Sequence, residues 1–166
     1  MFIQLRMVLV ALALVSVPAL GTAQGTQITF GGLKHDTTQP VEVSSDQLQI
    51  NQADGSAVFT GNVVIGQGTM RLSAGRVVVV YAQGGSAGRI SKMHATGGVV
   101  LVNGDEAAEA NEAIYSIDNG NIVMTGNVIL TQGQSALASN RMTVNLKTGQ
   151  ATLDGRVKTI LQTGGN

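Results

Sequence analysis

Two stretches of this chain, residues 59–81 and 124–146, follow one pattern, and that repetition constrains the fold more than any other feature. Read as FTGNVVIGQGTMRLSAGRVVVVY and MTGNVILTQGQSALASNRMTVNL, they share 9 identities in 23 positions at an offset of 65. Finer landmarks set the period. A Gly followed two places later by Val recurs at Gly61, Gly97, Gly126 and Gly155. A small residue that opens a Ser/Ala-x-x-apolar-x-apolar run recurs at Ser45, Ala74, Ala110 and Ser139, at intervals of 29, 36 and 29. A Gly stands ten residues after each of these, at Gly55, Gly84, Gly120 and Gly149. Four repeats of about 29 residues are therefore expected, the second lengthened by seven residues around 85–92. Repetition on this scale marks a series of like supersecondary units.

The units read as antiparallel strands. Asp54-Gly55, Asn103-Gly104 and Asn119-Gly120 are hairpin signals, because tight two-residue turns need positive φ. Hairpins join antiparallel strands, which argues against a parallel β-helix of similar period. The runs between turns are too long for one flat strand, and each has a small residue near its middle where a strand can kink or bulge. The expected fold is all-β: an antiparallel jelly-roll or V-shaped sandwich of eight bent strands. Five aromatic residues (Phe2, Phe30, Phe59, Tyr81, Tyr115) are too few to build the core, so aliphatic side chains must fill it. Alternation with period two sorts the faces. Val41, Val43, Met70, Leu72 and Leu137 precede the Ser/Ala corner on one face; Leu48, Ile50, Val77, Val79, Ala113, Tyr115, Met142 and Val144 follow it. Phe59, Val63, Ile65, Val99, Leu101, Met124, Val128 and Leu130 flank the Gly corner on that same face. Glu42, Gln47, Gln49, Arg71, Arg76 and Arg141 point the other way.

Little in the chain resembles a reactive centre. Ten basic residues balance ten acidic ones, so no overall field draws the protein to nucleic acid, and the scarce aromatics offer no stacking platform. There is no Cys, hence no disulfide framework and no thiolate metal site. His35 and His94 read as two unrelated surface histidines, and the cluster of Asp105, Glu106, Glu109 and Glu112 as a solvated strand face. The glycines recur at strand turns rather than between a strand and a helix, so no phosphate loop or cofactor motif is present. No carboxylate pair or nucleophile elbow stands out. The reading is of a protein without enzymatic activity and without a cofactor.

The ends carry different signals. Arg6, an apolar run over residues 7–17, Pro18, and the small residues Gly21 and Ala23 resemble an export signal over residues 1–23, cleaved after Ala23. The alternative is a retained membrane anchor, but the apolar stretch of 14 residues over 7–20 is short of the ~20 needed to span a bilayer. Cleavage leaves 9 basic against 10 acidic residues in an extracytoplasmic protein. Residues 24–39 have no period and read as a mobile arm, residues 40–161 as the β domain, and residues 162–166 as a flexible tail. An open sheet leaves a first strand near residues 41–50 and a last near 156–161 with unpaired backbone groups. Val41, Val43, Leu48, Ile50, Val157 and Ile160 mark these edges, which Pro40 and Lys158 protect only weakly. They are expected to pair copies of the chain head to tail by β-augmentation, a contact that does not close on itself.

Residues 40–46 (PVEVSSD), residues 59–63 (FTGNV), Gln67-Gly68 followed by Met70 and Leu72, and the second TGNV at 125–128 resemble the OstA-like periplasmic proteins of lipopolysaccharide transport, the LptA family. The similarity runs over about residues 40–161. It implies a β-jelly-roll with an apolar groove that holds lipopolysaccharide acyl chains, in a periplasmic bridge from an inner-membrane LptC-like component to an outer-membrane LptD-like translocon. Carried over by position, the groove would include Val41, Val43, Val63, Ile65, Met70, Leu72 and Tyr115. Alternation alone adds Ile117, Val128 and Leu130. The alternatives are plain core packing for each residue and, for the whole chain, an adhesive or structural repeat scaffold, a carbohydrate-processing β-solenoid, or the membrane-anchored LptC-type relative.

Overall fold

A computed structural model describes residues 26–29, 33–51, 53, 55–82 and 88–160. The expected export signal and the tail 162–166 lie outside the described residues, as do residues 85–87 of the lengthened segment. Among the described residues eleven strands form one antiparallel sheet: β1 (Thr26–Thr29), β2 (Val41–Ser44), β3 (Gln47–Asn51), β4 (Ser56–Gln67), β5 (Met70–Tyr81), β6 (Ile90–Asn103), β7 (Glu106–Ser116), β8 (Asn121–Gln132), β9 (Ser135–Asn145), β10 (Gln150–Asp154) and β11 (Lys158–Ile160). From β2 to β11 each long strand pairs with the next in sequence, a meander. β2 and β3 lie end to end along β4, and β10 and β11 end to end along β9. The all-β, antiparallel reading holds.

The strands bend where the sequence places its small residues. Pairing slips between Thr60 and Val63, Ser73 and Arg76, Thr96 and Val99, Glu109 and Glu112, and Thr125 and Val128. Two successive residues take positive φ at each Gly corner: Gly61 and Asn62, Gly97 and Gly98, Gly126 and Asn127, Gly155 and Arg156. Gly enters this left-handed region freely and Asn more readily than other side chains, which is why Gly-Asn recurs there. Each Gly corner faces a Ser/Ala corner on the adjacent strand, so Gly61 lies against Asp46, Gly97 against Gly75, Gly126 against Asn111 and Gly155 against Asn140. The Asp46 N–H donates to the Gly61 carbonyl at 2.9 Å, and the Asn140 N–H to the Gly155 carbonyl at 2.8 Å. The serine hydroxyls satisfy carbonyls that the kink frees: Ser45 donates to Gln47 O at 2.9 Å and Ser139 to Arg141 O at 3.0 Å.

This line of corners divides the sheet into two wings. The first carries β3, residues 56–60, 76–81, 90–96, 112–116, 121–125 and 141–145, then β10. The second carries β2, residues 63–67, 70–74, 99–103, 106–110, 128–132 and 135–139, then β11. Buried aliphatic residues of both wings make one hydrophobic cluster, so the inner faces fold toward each other.

Two expectations are corrected. The described parts of the segment read as a mobile arm are built into the fold: Thr26–Thr29 pairs along β10, and residues 33–39 cross the end of the sandwich. A four-residue strand held at an edge by backbone hydrogen bonds needs no side-chain period, so alternation could not reveal it. The last strand is consequently the outer edge only in the second wing, where β11 lies along β9. In the first wing β1 covers β10.

Candidate functional site

The space between the wings is the candidate site. Alternation on the long strands aims Val63 and Ile65 (β4), Met70 and Leu72 (β5), Tyr115 (β7), and Val128 and Leu130 (β8) into it, and all seven are buried. Val41, Val43 and Ile117 are half-buried against the same cluster. Met93, Ile122, Met124 and Met142, none of them among the predicted groove residues, are as deeply buried as any side chain there. Three of these are methionines, whose unbranched thioethers adapt to irregular space. The wings are closed on a filled interior rather than parted around an open groove.

At the free ends, away from the corner line, the inner row turns polar. Gln67 follows Val63 and Ile65 on β4, Asn103 follows Val99 and Leu101 on β6, and Glu106 opens β7 opposite Asn103; all three are buried. Gln67 Oε1 accepts from the Tyr115 hydroxyl at 2.9 Å, a bond from the second wing to the first. Burial pushes the Tyr115 phenol up to about 12, so it remains a donor at neutral pH. Asn103 Oδ1 accepts from Thr69 Oγ1 at 2.8 Å, and Glu106 Oε1 from Gln132 Nε2 at 2.7 Å. The expectation of a solvated acidic face therefore fails at Glu106. Its place at the start of β7 turns it inward, while Asp105 and Glu109 stay exposed. Gln67 was legible only as the next inward position after Ile65; its polarity hid its burial.

Residues 33–39 complete the free end. Leu33 has 0% exposure. His35, expected at the surface, is half-buried, and burial lowers its imidazole below the usual value, opposed by the nearby Asp36 carboxylate. Asp36 is itself held down to about 2, first by the Thr38 hydroxyl, then by the Thr38 N–H and the Gln39 amide. On the outer face of the first wing, His94 pairs with Glu112 across β6 and β7, turned away from the interior.

The edges differ from the middle. Leu48 pairs with Phe59 and Ile50 with Ala57, so both leucine and isoleucine belong to the inner face; yet they are 49% and 66% exposed because β3 has no neighbour beyond it. Val157 and Ile160, at the other end, are also exposed.

The family described as LptA/(LptD N-terminal domain) LPS transport protein matches residues 42–150, and the chain belongs to it. An uncharacterised protein of Rhizobium meliloti is 34% identical over 107 residues, 61% of this chain and 58% of that protein. The lipopolysaccharide export system protein LptA of Escherichia coli is 41% identical over 54 residues, 32% of this chain and 29% of that protein. The chain thus spans less than two thirds of either relative. In structure it is similar to LptH of Pseudomonas aeruginosa, the LptA-homologous periplasmic component of that organism's lipopolysaccharide transport device. The TM-score is 0.68 at 16% identity, over 76% of this chain and 98% of LptH.

Proposed function

We propose that this chain is a periplasmic, non-enzymatic carrier of lipopolysaccharide that shields lipid A acyl chains between its wings. Copies join head to tail, as a bridge from an inner-membrane LptC-like component to an outer-membrane LptD-like translocon. The observation that carries this reading is the run-out of the inner face at one edge. An isolated sandwich gains nothing by leaving Leu48 and Ile50 half or more exposed on its apolar side, since covering the remainder of each would stabilise it by about 1–2 kcal/mol. A second copy added along β2 and β3 covers them and continues the apolar interior from one copy into the next. The complementary edge of that copy is β11 in the second wing and β1 in the first. An interior lined by similar aliphatic residues along its length suits a carrier, because each acyl CH₂ is worth roughly 0.8 kcal/mol wherever it sits, and movement along the lining costs little.

The test is a photo-crosslinking scan in cells. A photo-reactive residue at Val43 or Ile65 captures lipopolysaccharide, while the same residue at Gln49 or Arg71 does not. Equal capture at all four positions refutes the interior as the lipid site.

A further inference from the structure

Residues 33–39 lie across the free ends of both wings. On the first wing the His35 N–H donates to the Leu146 carbonyl at 2.7 Å. The Thr37 methyl packs against Gly120, 3.3 Å from where a Cβ on that glycine would sit. On the second wing Gln67 Nε2 donates to the carbonyls of Thr37 at 3.0 Å and Gln39 at 2.9 Å. The His35 ring covers Gly68, its Cε1 2.9 Å from the corresponding Cβ position. Gln67 in turn accepts from Tyr115 on the opposite wing. Asp36 shapes the strap from within, accepting from the Thr38 N–H at 3.0 Å and the Thr38 hydroxyl at 2.6 Å.

The polar contacts join wing to wing at the points farthest from the corner line, where any hinge motion is largest. The apolar contact places a leucine inside. Since Val63, Ile65, Val128 and Leu130 are already covered, a guest chain needs room that only parted wings or a withdrawn Leu33 supplies. We propose that residues 33–39 are a latch, and that Leu33 is an internal competitor for the space an acyl chain takes. This rests on the acyl-chain reading above. Without lipid the latch is in place and Leu33 fills its part of the interior. In the loaded protein the strap is released and an acyl chain replaces the leucine. A ligand that binds only the released form sees an affinity reduced by the fraction released, so the strap sets how readily lipid is taken up and given away.

The test uses the chain from residue 24 onward, with parinaric acid as a fluorescent acyl probe and rough-type lipopolysaccharide as the full ligand. The chain has no cysteine, so Thr37→Cys with Gly120→Cys introduces a single disulfide that holds the strap down. Oxidised, this variant takes up both probes roughly tenfold more weakly than wild type, and reductant restores uptake; Leu33→Asp, whose charge drives the strap out, binds roughly tenfold more tightly. Should Leu33→Asp not fold cooperatively, Leu33→Ala serves with a smaller gain in the same direction. In wild type, loading speeds hydrogen exchange of the His35 amide while the amides of β7 and β8 stay protected. Equal uptake by the oxidised, reduced and wild-type proteins, or a His35 amide that stays protected in the loaded state, overturns the latch and leaves acyl binding standing. No uptake of either probe by any form overturns the acyl-chain reading, and the latch with it.

Discussion

Gly61→Val is the sharpest test of the corner line. Gly61 has φ +79°, and a Cβ built there would lie 2.5 Å from Asp46 Oδ2 and 3.1 Å from Asp46 Cβ and Cγ. A left-handed backbone costs a non-glycine residue about 1–2 kcal/mol, and a β-branched one more. The Asp46 carboxylate must also move, and with it goes the bond it accepts from Asn62 Nδ2 at 2.8 Å, worth about 0.5–1.5 kcal/mol. Together the loss is about 2–4 kcal/mol, and at roughly 2–4 °C per kcal/mol for a chain of this size the melting midpoint falls by roughly 5–15 °C. A thermal melt followed by far-ultraviolet circular dichroism reads this directly. Gly61→Ala should lose less. Adding Asp46→Ala should recover the contact part of that loss and not the backbone part, so the pair is non-additive in a double-mutant cycle. Gly98→Asn is the control: the backbone is equally left-handed at φ +79° but nothing lies within 4 Å, and Asn already stands at the matching step at positions 62 and 127. It should cost under ~1 kcal/mol. A Gly61→Val protein that melts within about 2 °C of wild type, under half of the smallest expected shift, would mean that the strand does not depend on glycine to bend.

Other outcomes follow from burial, pairing and titration. Leu130→Ala empties a fully buried position and should destabilise the monomer by about 2–5 kcal/mol in denaturant melts, whereas Ile50→Ala, at an exposed edge, should leave the monomer's midpoint unchanged and weaken assembly in light scattering. Tyr115→Phe removes the donor to buried Gln67 Oε1 and should cost about 1–3 kcal/mol, measured the same way. Ile160→Pro, in the strand that pairs with Ala136, Leu137 and Ala138, should keep the monomer folded and stop concentration-dependent growth; equal assembly of the variant rules this edge out. His35 titrates below its ordinary 6.5 because it is buried, and among the described residues its Nε2 has no hydrogen-bond partner. The released strap therefore binds more protons than the latched one, latch stability rises with pH, and it is lost as the pH falls below 6.5 toward the lowered value. His35→Gln should flatten that dependence in hydrogen exchange at Leu33 and Thr37.

The sequence by itself determined everything that depends on neighbours along the chain. Period-two alternation sets which side of a strand a residue occupies, so Val63, Ile65, Val128 and Leu130 were legible as inward-facing. The small residues recurring at mid-strand, the glycines above all, made the bends legible, because a strand kinks or bulges most readily there. What alternation cannot say is what stands opposite. Leu48 and Ile50 carry the same inward signal as Val77 and Val79, yet the first pair is exposed and the second buried, since β3 ends the sheet and β5 does not. Gln67 and Glu106 look like surface residues until a partner remote in sequence accounts for their burial. Tyr115 supplies it for Gln67 and Gln132 for Glu106, 48 and 26 residues away in sequence. The N-terminal strand and strap were hidden for the same reason. β1 is held by backbone bonds to β10 at the far end of the chain, and Leu33 by an interior that both wings build. Facing is a local property of the backbone. Burial, edge protection and closure depend on residues remote in sequence, and only the tertiary structure brings those together.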